Sequence, residues 1–174
     1  MALSPVTAPA SQAARASREA APRLPPHRRL APPVPDATTV TADRLLDTAR
    51  TFAVVGASAD PSRPSHGVMA TLIDHGYEVI PVTPTVDAVL GRTAYPDLAS
   101  IPGDVEVDVV DIFRRSDRAG AHVDEAIERG AAAVWLQLGV IDEAAGERAE
   151  TAGLDVVMDR CPAIELRRRV RRVA

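Results

Sequence analysis

The stretch VVGASADPSRPS, residues 54–65, combines residue types that could bind an anion. Gly56 ends a predicted buried strand and permits a tight turn, Ser58 offers a hydroxyl, and Arg63 adds a planar guanidinium that suits phosphate or carboxylate. A helix predicted to begin with Ser65 as its N-cap would add partial positive charge at the same place. We therefore predict an anion site in this turn, with a plain βα turn and an exposed arginine as the alternative.

The same turn departs from the fingerprint of a nicotinamide dinucleotide site. A GxGxxG motif would place glycines where this chain has Ser58 and Pro61, and an acidic residue would end the second strand, where this chain has Val82, Thr83 and Pro84. The longer turn leaves room for a bulkier phosphorylated ligand, and Val82 and Pro84 are expected to flank an adenine.

Short apolar segments alternate with helical patterns along most of the chain. The predicted strands cover residues 51–55, 77–82, 106–113, 132–137 and 154–158. Helices are predicted from Thr41 to Ala49 and over residues 66–75, 116–129, 142–152 and 163–170. Helical crossovers of this length permit parallel pairing, so we predict an α/β fold: a Rossmann-like, doubly wound, five-stranded parallel sheet in three layers, with strand order 3-2-1-4-5.

In such a sheet, ligands bind beyond the carboxyl ends of the strands, at the point where the strand order reverses. The predicted order places that point between the first and fourth strands. Candidate site residues are therefore those that directly follow the strands, in the ranges 56–65, 82–84, 113–116, 137–140 and 159–161.

Four titratable residues near these positions invite a functional interpretation. Asp108 and Asp111 alternate with valines in the third strand, and Asp111, nearer its carboxyl end, is the stronger site candidate, although a cap or turn contact explains it equally well. His66 and His75 flank the helix after the first strand. No second ligand stands at a telling spacing, so we interpret them as helix-end residues and predict no metal site.

Charge and cysteine content narrow the class of protein. The chain has 174 residues with 20 basic and 24 acidic residues, and residues 41–159 hold nine arginines against 21 acidic residues. Such a domain is a poor general nucleic-acid binder, although the RRRVRR tail is either a solvated helix end or a contact for an anionic surface. The single cysteine, Cys161, cannot form an internal disulfide, which favours a cytoplasmic location, and no apolar run suits a membrane span.

Residues 1–40 and 41–174 are predicted to differ in order. The first forty residues are rich in Ala, Pro and Arg and lack a regular apolar period, so we predict a disordered extension. A transit peptide and a misassigned translation start are the alternative interpretations of this segment. Residues 41–174 form the predicted domain.

Six segments in order resemble the small bacterial CoA-binding protein family, which is itself similar to the CoA-binding domain of the succinyl-CoA synthetase alpha subunit. They are VVGASADPSRPSHGV, HGYEVIPVTP, LGRTAYPDLASIP, VDVVDIFRRSD, GAAAVWLQLGV and VVMDRCPAIE, and they span roughly residues 45–167. The resemblance implies a Rossmann-like domain that binds coenzyme A or an acyl-CoA, with no settled reaction.

The resemblance also implies positions for the ligand. The pyrophosphate would be surrounded by Gly56, Ala57, Ser58, Arg63, Pro64 and Ser65. The adenine and ribose would lie beside Val82, Thr83 and Pro84, with Phe113, Arg114 and Arg115 on the opposite wall. Gln137, at the end of the fourth strand, completes the predicted set. Cys161 is either close enough to the pantetheine thiol for a mixed disulfide or a small buried hydrophobe.

The sequence shows no catalytic constellation, since a GxSxG elbow, a Cys–His pair at recognisable spacing and a metal cluster are all absent from it. We therefore predict a stand-alone binding or regulatory module for a small nucleotide ligand, without nucleic-acid or membrane partners and with a protein partner left open. The alternatives are an NAD(P)-binding oxidoreductase and an interaction module whose nucleotide site has decayed.

Overall fold

The computed structural model describes residues 37–173. These residues form five helices: α1 (Ala37–Thr48), α2 (Pro64–Asp74), α3 (Ser116–Arg129), α4 (Glu143–Thr151) and α5 (Pro162–Val173). They also form seven strands: β1 (Thr51–Val55), β2 (Glu78–Val82), β3 (Ala88–Val89), β4 (Arg92–Thr93), β5 (Val109–Ile112), β6 (Ala133–Leu136) and β7 (Asp155–Val157).

Two helix starts differ from those predicted. Helix α1 begins at Ala37, inside the predicted extension, because Thr39 and Ala42 on its first turns are buried against the domain. The rest of that extension lies outside the described residues. Helix α2 begins at Pro64 with Arg63 as its N-cap, so Ser65 is not the cap. Proline suits the first helical position because its φ is already helical and that position needs no amide donor.

Two other helix ends follow the predictions. Asp142 caps α4 by accepting a hydrogen bond from the Ala145 amide at 3.0 Å. Gly130 ends α3 in the left-handed conformation, with φ of 75°.

Five strands form one parallel sheet with helices on both faces, which confirms the three-layered, Rossmann-like α/β fold. One face packs against α3 and α4 and the other against α1, α2 and α5. The two remaining strands, β3 and β4, form a small antiparallel hairpin in a segment predicted to be loop.

The strand order corrects the sequence prediction. The sheet runs β2-β1-β5-β6-β7, which is 2-1-3-4-5 in terms of the five predicted strands, not 3-2-1-4-5. The order therefore reverses between β1 and β5, the third predicted strand. Because Pro81 has no amide hydrogen, β2 suits an edge of the sheet and cannot be a fully paired central strand.

The backbone around Pro81 shows how the edge is arranged. The Pro81 carbonyl accepts a hydrogen bond from the Tyr95 amide at 2.9 Å, and the Thr83 amide donates to the Tyr95 carbonyl at 2.7 Å. In a strand the N–H and C=O of one residue point the same way, so the missing donor of Pro81 faces outward, away from β1.

The two carboxylates of the third predicted strand have different environments. That strand, β5, begins at Val109, so Asp108 precedes it. The Asp108 Oδ2 accepts hydrogen bonds from the Arg50 amide at 2.7 Å and the Thr51 amide at 2.9 Å. Asp108 therefore fastens the start of β1 to the segment that enters β5.

Asp111 lies inside β5 and is completely buried. Its Oδ1 accepts a hydrogen bond from the Gln137 Nε2 at 2.7 Å. Burial disfavours the charged form and raises the pKa of Asp111 to about 8, against a smaller opposing effect of the Gln137 hydrogen bond. The carboxyl is therefore protonated at neutral pH.

We expect Asp108→Ala to lower the free energy of unfolding by about 1–2 kcal/mol, because two backbone donors at the start of β1 lose their acceptor. Denaturant unfolding with an unchanged m-value would measure this loss. Asp104→Ala, at an exposed position four residues earlier, is the matched control. Equal destabilisation by the two substitutions would contradict the structural role of Asp108.

We expect Asp111→Asn to remove a pH dependence of stability. An unfolded aspartate has a pKa of ~4, so between about pH 4 and pH 8 the folded chain holds a proton that the unfolded chain has lost. The unfolding free energy of the parent protein should therefore fall as pH rises through this window and level off above it. The variant cannot titrate here, so its curve from denaturant unfolding at pH 5, 6.5 and 8 should be flatter than that of the parent protein. Parallel curves would show that Asp111 is already ionised at pH 5.

Candidate functional site

A cleft of about 890 Å³ opens at the carboxyl ends of the strands, beside the point where the strand order reverses. It contains twelve of the thirteen predicted site residues: Gly56, Ala57, Ser58, Arg63, Pro64, Ser65, Thr83, Pro84, Phe113, Arg114, Arg115 and Gln137. Val82, the thirteenth, is instead buried in the core on the α3 and α4 face of the sheet. Its carbonyl accepts a hydrogen bond from the Gly56 amide at 3.0 Å, so it supports the turn from below the cleft.

Gly56 is required by both conformation and space. Its φ is 85°, in the region that favours glycine, and a Cβ placed there would lie 2.7 Å from the Phe113 carbonyl oxygen. The Phe113 backbone cannot move freely to make room, because its amide donates a hydrogen bond to the Val55 carbonyl at 2.9 Å. The turns after β1 and β5 therefore meet with only a hydrogen atom between them.

The turn after Gly56 is ordered by its own short polar side chains. The Ser58 Oγ accepts a hydrogen bond from the Asp60 amide at 3.1 Å, and the Asp60 Oδ1 accepts one from the Ser62 amide at 2.9 Å. The Arg63 amide then donates to the Asp60 carbonyl at 3.0 Å. The bonds from Ser62 lower the pKa of Asp60, so a carboxylate in this turn stands near Arg63. These hydrogen bonds fix the backbone of the turn and so position Arg63 and the start of α2.

Three arginines and one helix start give the cleft its positive character. Arg63 and Arg115 are exposed, and Arg115 forms a 2.8 Å ion pair with Asp117. The Nε of Arg114 is buried and has no hydrogen-bond partner among the described residues. The first amides of α2 add partial positive charge, because the early N–H groups of a helix lack carbonyl partners in a preceding turn. A donor left unpaired beside a cationic cleft fits an anionic ligand with several acceptor oxygens.

The opposite wall, after β2, carries hydroxyls. The Thr83 Oγ1 and Thr85 Oγ1 lie 2.9 Å apart, and the Thr83 side chain is buried. Pro84 is exposed between them. This wall offers hydroxyl hydrogen bonds and an apolar ring face, and it lacks a carboxylate that would repel a phosphate.

The floor of the cleft is formed by Gln137 and Cys161, both of which are buried. Beneath them lies Asp111, bonded to Gln137. Burial raises the pKa of the Cys161 thiol. Hydrogen bonds from the backbone amides of Ala163 and Ile164 oppose that shift. The floor is therefore uncharged at neutral pH.

The loop after β6 closes the far side of the cleft and is held in part by side-chain hydrogen bonds. The Ser116 Oγ accepts a hydrogen bond from the Ile141 amide at 2.9 Å, and the Asp159 Oδ1 accepts one from the Gly139 amide at 2.7 Å. Leu138 at the rim remains 56% exposed, which leaves an apolar side chain available to a ligand.

Additional lining residues divide into expected and missed ones. Leu138, Gly139, Val140 and Cys161 lie in ranges predicted because they follow strands. Val68 was missed. Its position three residues after Ser65, on the same side of a helix that begins at the cleft, is the signal that could have found it.

The two histidines that flank α2 do not line this cleft. His66 and His75 are absent from the lining, and the His75 Nδ1 lies 2.8 Å from the Thr71 carbonyl oxygen. The described residues contain no group of three or more His, Cys, Asp or Glu side chains that could hold a metal ion.

A second cleft, of about 820 Å³, lies near the amino ends of β5 and β6, and its charged residues are mainly acidic. They are Asp97, Glu106, Asp108, Glu125, Glu128 and Arg129. Arg129 already donates to the carbonyls of Ile101, Pro102 and Val105. An anionic ligand is therefore favoured at the first cleft and disfavoured at this one.

Over residues 37–173, no helix has both the length and the apolar composition that crossing a membrane requires.

The chain is similar in sequence and structure to several known proteins. It is 39% identical over 117 residues to the uncharacterized protein YneT of Bacillus subtilis, which covers 67% of this chain and 85% of that protein. A solved structure of a hypothetical protein from Pyrococcus horikoshii is 37% identical, with a TM-score of 0.71, over 75% of this chain and 90% of that one.

A larger enzyme shares part of its structure with this domain. The dinucleotide-forming acetyl-coenzyme A synthetase 1 of Ca. Korarchaeum cryptofilum is 27% identical, with a TM-score of 0.57, over 65% of this chain and 26% of the synthetase. The sequence model of the CoA binding domain family matches residues 50–167. These residues contain the parallel sheet and the whole lining of the first cleft. This chain therefore belongs to the CoA binding domain family.

Proposed function

We propose that the protein binds coenzyme A or an acyl-CoA in the first cleft and acts as a stand-alone binding or regulatory module in the cytoplasm. The observation that carries the proposal is the gathering of Arg63, Arg114 and Arg115 around the start of α2, in a chain of the CoA binding domain family. Coenzyme A carries several phosphate oxygens, which are suitable acceptors for guanidinium groups and helix amides.

The walls of the cleft differ in chemistry, so we propose that each contacts a different part of the ligand. The pyrophosphate would lie at residues 56–65, where the turn and the start of α2 supply donors. The adenine and ribose would contact Thr83 and Pro84, with Phe113 facing them across the cleft. The uncharged floor at Gln137 and Cys161 would then receive the pantetheine end, which is polar but carries no charge.

The wall after β2 favours coenzyme A over a nicotinamide dinucleotide. A dinucleotide site of the Rossmann type uses an acidic residue at the end of the second strand for the ribose hydroxyls. This chain has Thr83, Pro84 and Thr85 there, so a ribose that carries a phosphate meets hydroxyls and no negative charge.

A panel of ligands tests the proposal directly. Thermal unfolding of the purified full chain would be measured with CoA, acetyl-CoA, NAD and NADP, because a ligand that binds only the folded state stabilises it by ~2.7 kcal/mol at about 100 times its Kd. We expect CoA or acetyl-CoA to raise the Tm and NAD and NADP to leave it unchanged. A shift with NAD or NADP alone would favour the dinucleotide alternative, and no shift with any of the four would favour an interaction module.

We expect Arg63→Ala to weaken CoA binding ~10-fold, because a charge-assisted contact to phosphate is lost from an exposed position. Calorimetric titration at low and moderate salt would measure the change, and the difference should shrink as salt screens the contact. Arg50→Ala is the matched control, because it removes the same charge from an exposed residue that directly precedes β1, at the amino ends of the strands. Equal affinities for Arg63→Ala and Arg50→Ala would contradict the phosphate role of Arg63.

A further inference from the structure

Cys161 is the single cysteine of the sequence, and it forms part of the cleft floor. It directly precedes α5 and is 8% exposed. An internal disulfide is impossible, so any disulfide at this position must join the protein to another molecule. Cys161 lines the cleft that the proposed ligand would occupy.

The surroundings of the thiol keep it protonated in the empty cleft. Burial raises the pKa of Cys161, and the opposing hydrogen bonds from the Ile164 and Ala163 amides only partly offset this effect. Since the thiolate is the reactive form of cysteine, a buried neutral thiol reacts slowly with reagents from bulk solution. A reagent held in the cleft would not share this disadvantage, because binding keeps its reacting atom beside the sulfur.

A buried polar atom without a hydrogen-bond partner among the described residues, the Oδ2 of Asp111, lies beside this floor. Asp111 is fully buried, and its Oδ1 is bonded to Gln137. Its two functional neighbours, Gln137 and Cys161, both line the cleft. An unpaired buried polar atom costs about 1–3 kcal/mol, and a polar group of a bound molecule that reaches it would offset that cost.

We propose that Cys161 is a site of reversible covalent modification, at which a disulfide of coenzyme A bound in the cleft is captured as a protein–CoA mixed disulfide. This inference rests on the proposed function, because the nucleotide part of the ligand must bind before its sulfur can approach the floor. It adds to that function a residue that converts reversible binding into a covalent and redox-dependent state.

The adduct forms by thiol–disulfide exchange. The Cys161 thiol loses its proton, and the thiolate attacks one sulfur of the CoA disulfide. A bond forms between the Cys161 Sγ and that sulfur, the original S–S bond breaks, and the second CoA leaves as a thiolate that takes up a proton. Cys161 and the departing CoA sulfur are oxidised and reduced respectively, so the CoA disulfide is the oxidant. A free thiol reverses the reaction by the same exchange.

The experiment uses the full chain, fully reduced, with CoA disulfide or with oxidised glutathione as a disulfide that lacks the nucleotide. Intact-protein mass spectrometry would follow the rate of adduct formation, and peptide mapping would locate the adduct. We expect one CoA per chain at Cys161, a rate that saturates with CoA disulfide concentration, and a reaction at least ~10-fold faster than with oxidised glutathione. Cys161→Ser should form no adduct.

Two further measurements connect the reaction to the cleft. Arg63→Ala should raise the CoA disulfide concentration that gives the half-maximal rate, whereas Arg50→Ala should not. Neither substitution should change the slow alkylation of Cys161 by iodoacetamide, which needs no phosphate contact. Reduced CoA should slow that alkylation by covering the thiol.

The results of these measurements distinguish covalent capture at Cys161 from the reversible binding of coenzyme A on which it rests. If calorimetry shows that reduced CoA binds and CoA disulfide yields no adduct, covalent capture is overturned and the proposed function stands. If the adduct forms with a rate that neither saturates nor exceeds that of oxidised glutathione, Cys161 is an ordinary accessible thiol and the inference is likewise overturned. If neither reversible binding nor an adduct is observed, both proposals fail together.

Discussion

The close approach of Gly56 to the Phe113 backbone determines the geometry of the cleft. Parallel pairing of β1 with β5 brings the two strand ends side by side, and the absence of a Cβ at residue 56 lets the turns that follow them meet. One turn leads to Arg63 and α2, and the other leads to Arg114, Arg115 and α3. The convergence of cationic groups therefore depends on a hydrogen atom at a position where any other side chain would have to displace a backbone carbonyl.

The two ends of the strands carry charged residues of opposite sign. The domain has more acidic than basic residues, yet arginines surround the first cleft at the carboxyl ends of the strands, whereas mainly acidic residues line the second cleft near their amino ends. The local arrangement of the arginines therefore favours an anion at the first cleft, even though the overall charge of the protein is unfavourable for one.

Most of the fold and most of the residues that line the first cleft could be predicted from sequence patterns with a direct physical cause. Apolar segments separated by helices predicted the parallel sheet, and the rule that ligands bind beyond strand ends predicted most of the lining. The strand order was wrong because pairing partners depend on contacts between distant segments, although Pro81 carried an overlooked sign that β2 is an edge strand. Val82 was misplaced for a similar reason, since alternation along a strand shows that a side chain faces one side or the other without showing what covers it. The hydrogen bond between Asp111 and Gln137 joins β5 to the residue that directly follows β6, and it could not be predicted from either segment alone.

The outward orientation of Pro81 also bears on self-association. An uncovered edge strand presents a row of donors and acceptors to which another chain can add. Here one donor is missing from β2, and the segment at Tyr95 occupies both the Pro81 carbonyl and the Thr83 amide. At the other margin, β7 is only three residues long, and Asp155 in it is ion-paired with Arg44. Neither margin offers a long unpaired template, so the sheet resists growth into intermolecular β-structure and aggregation.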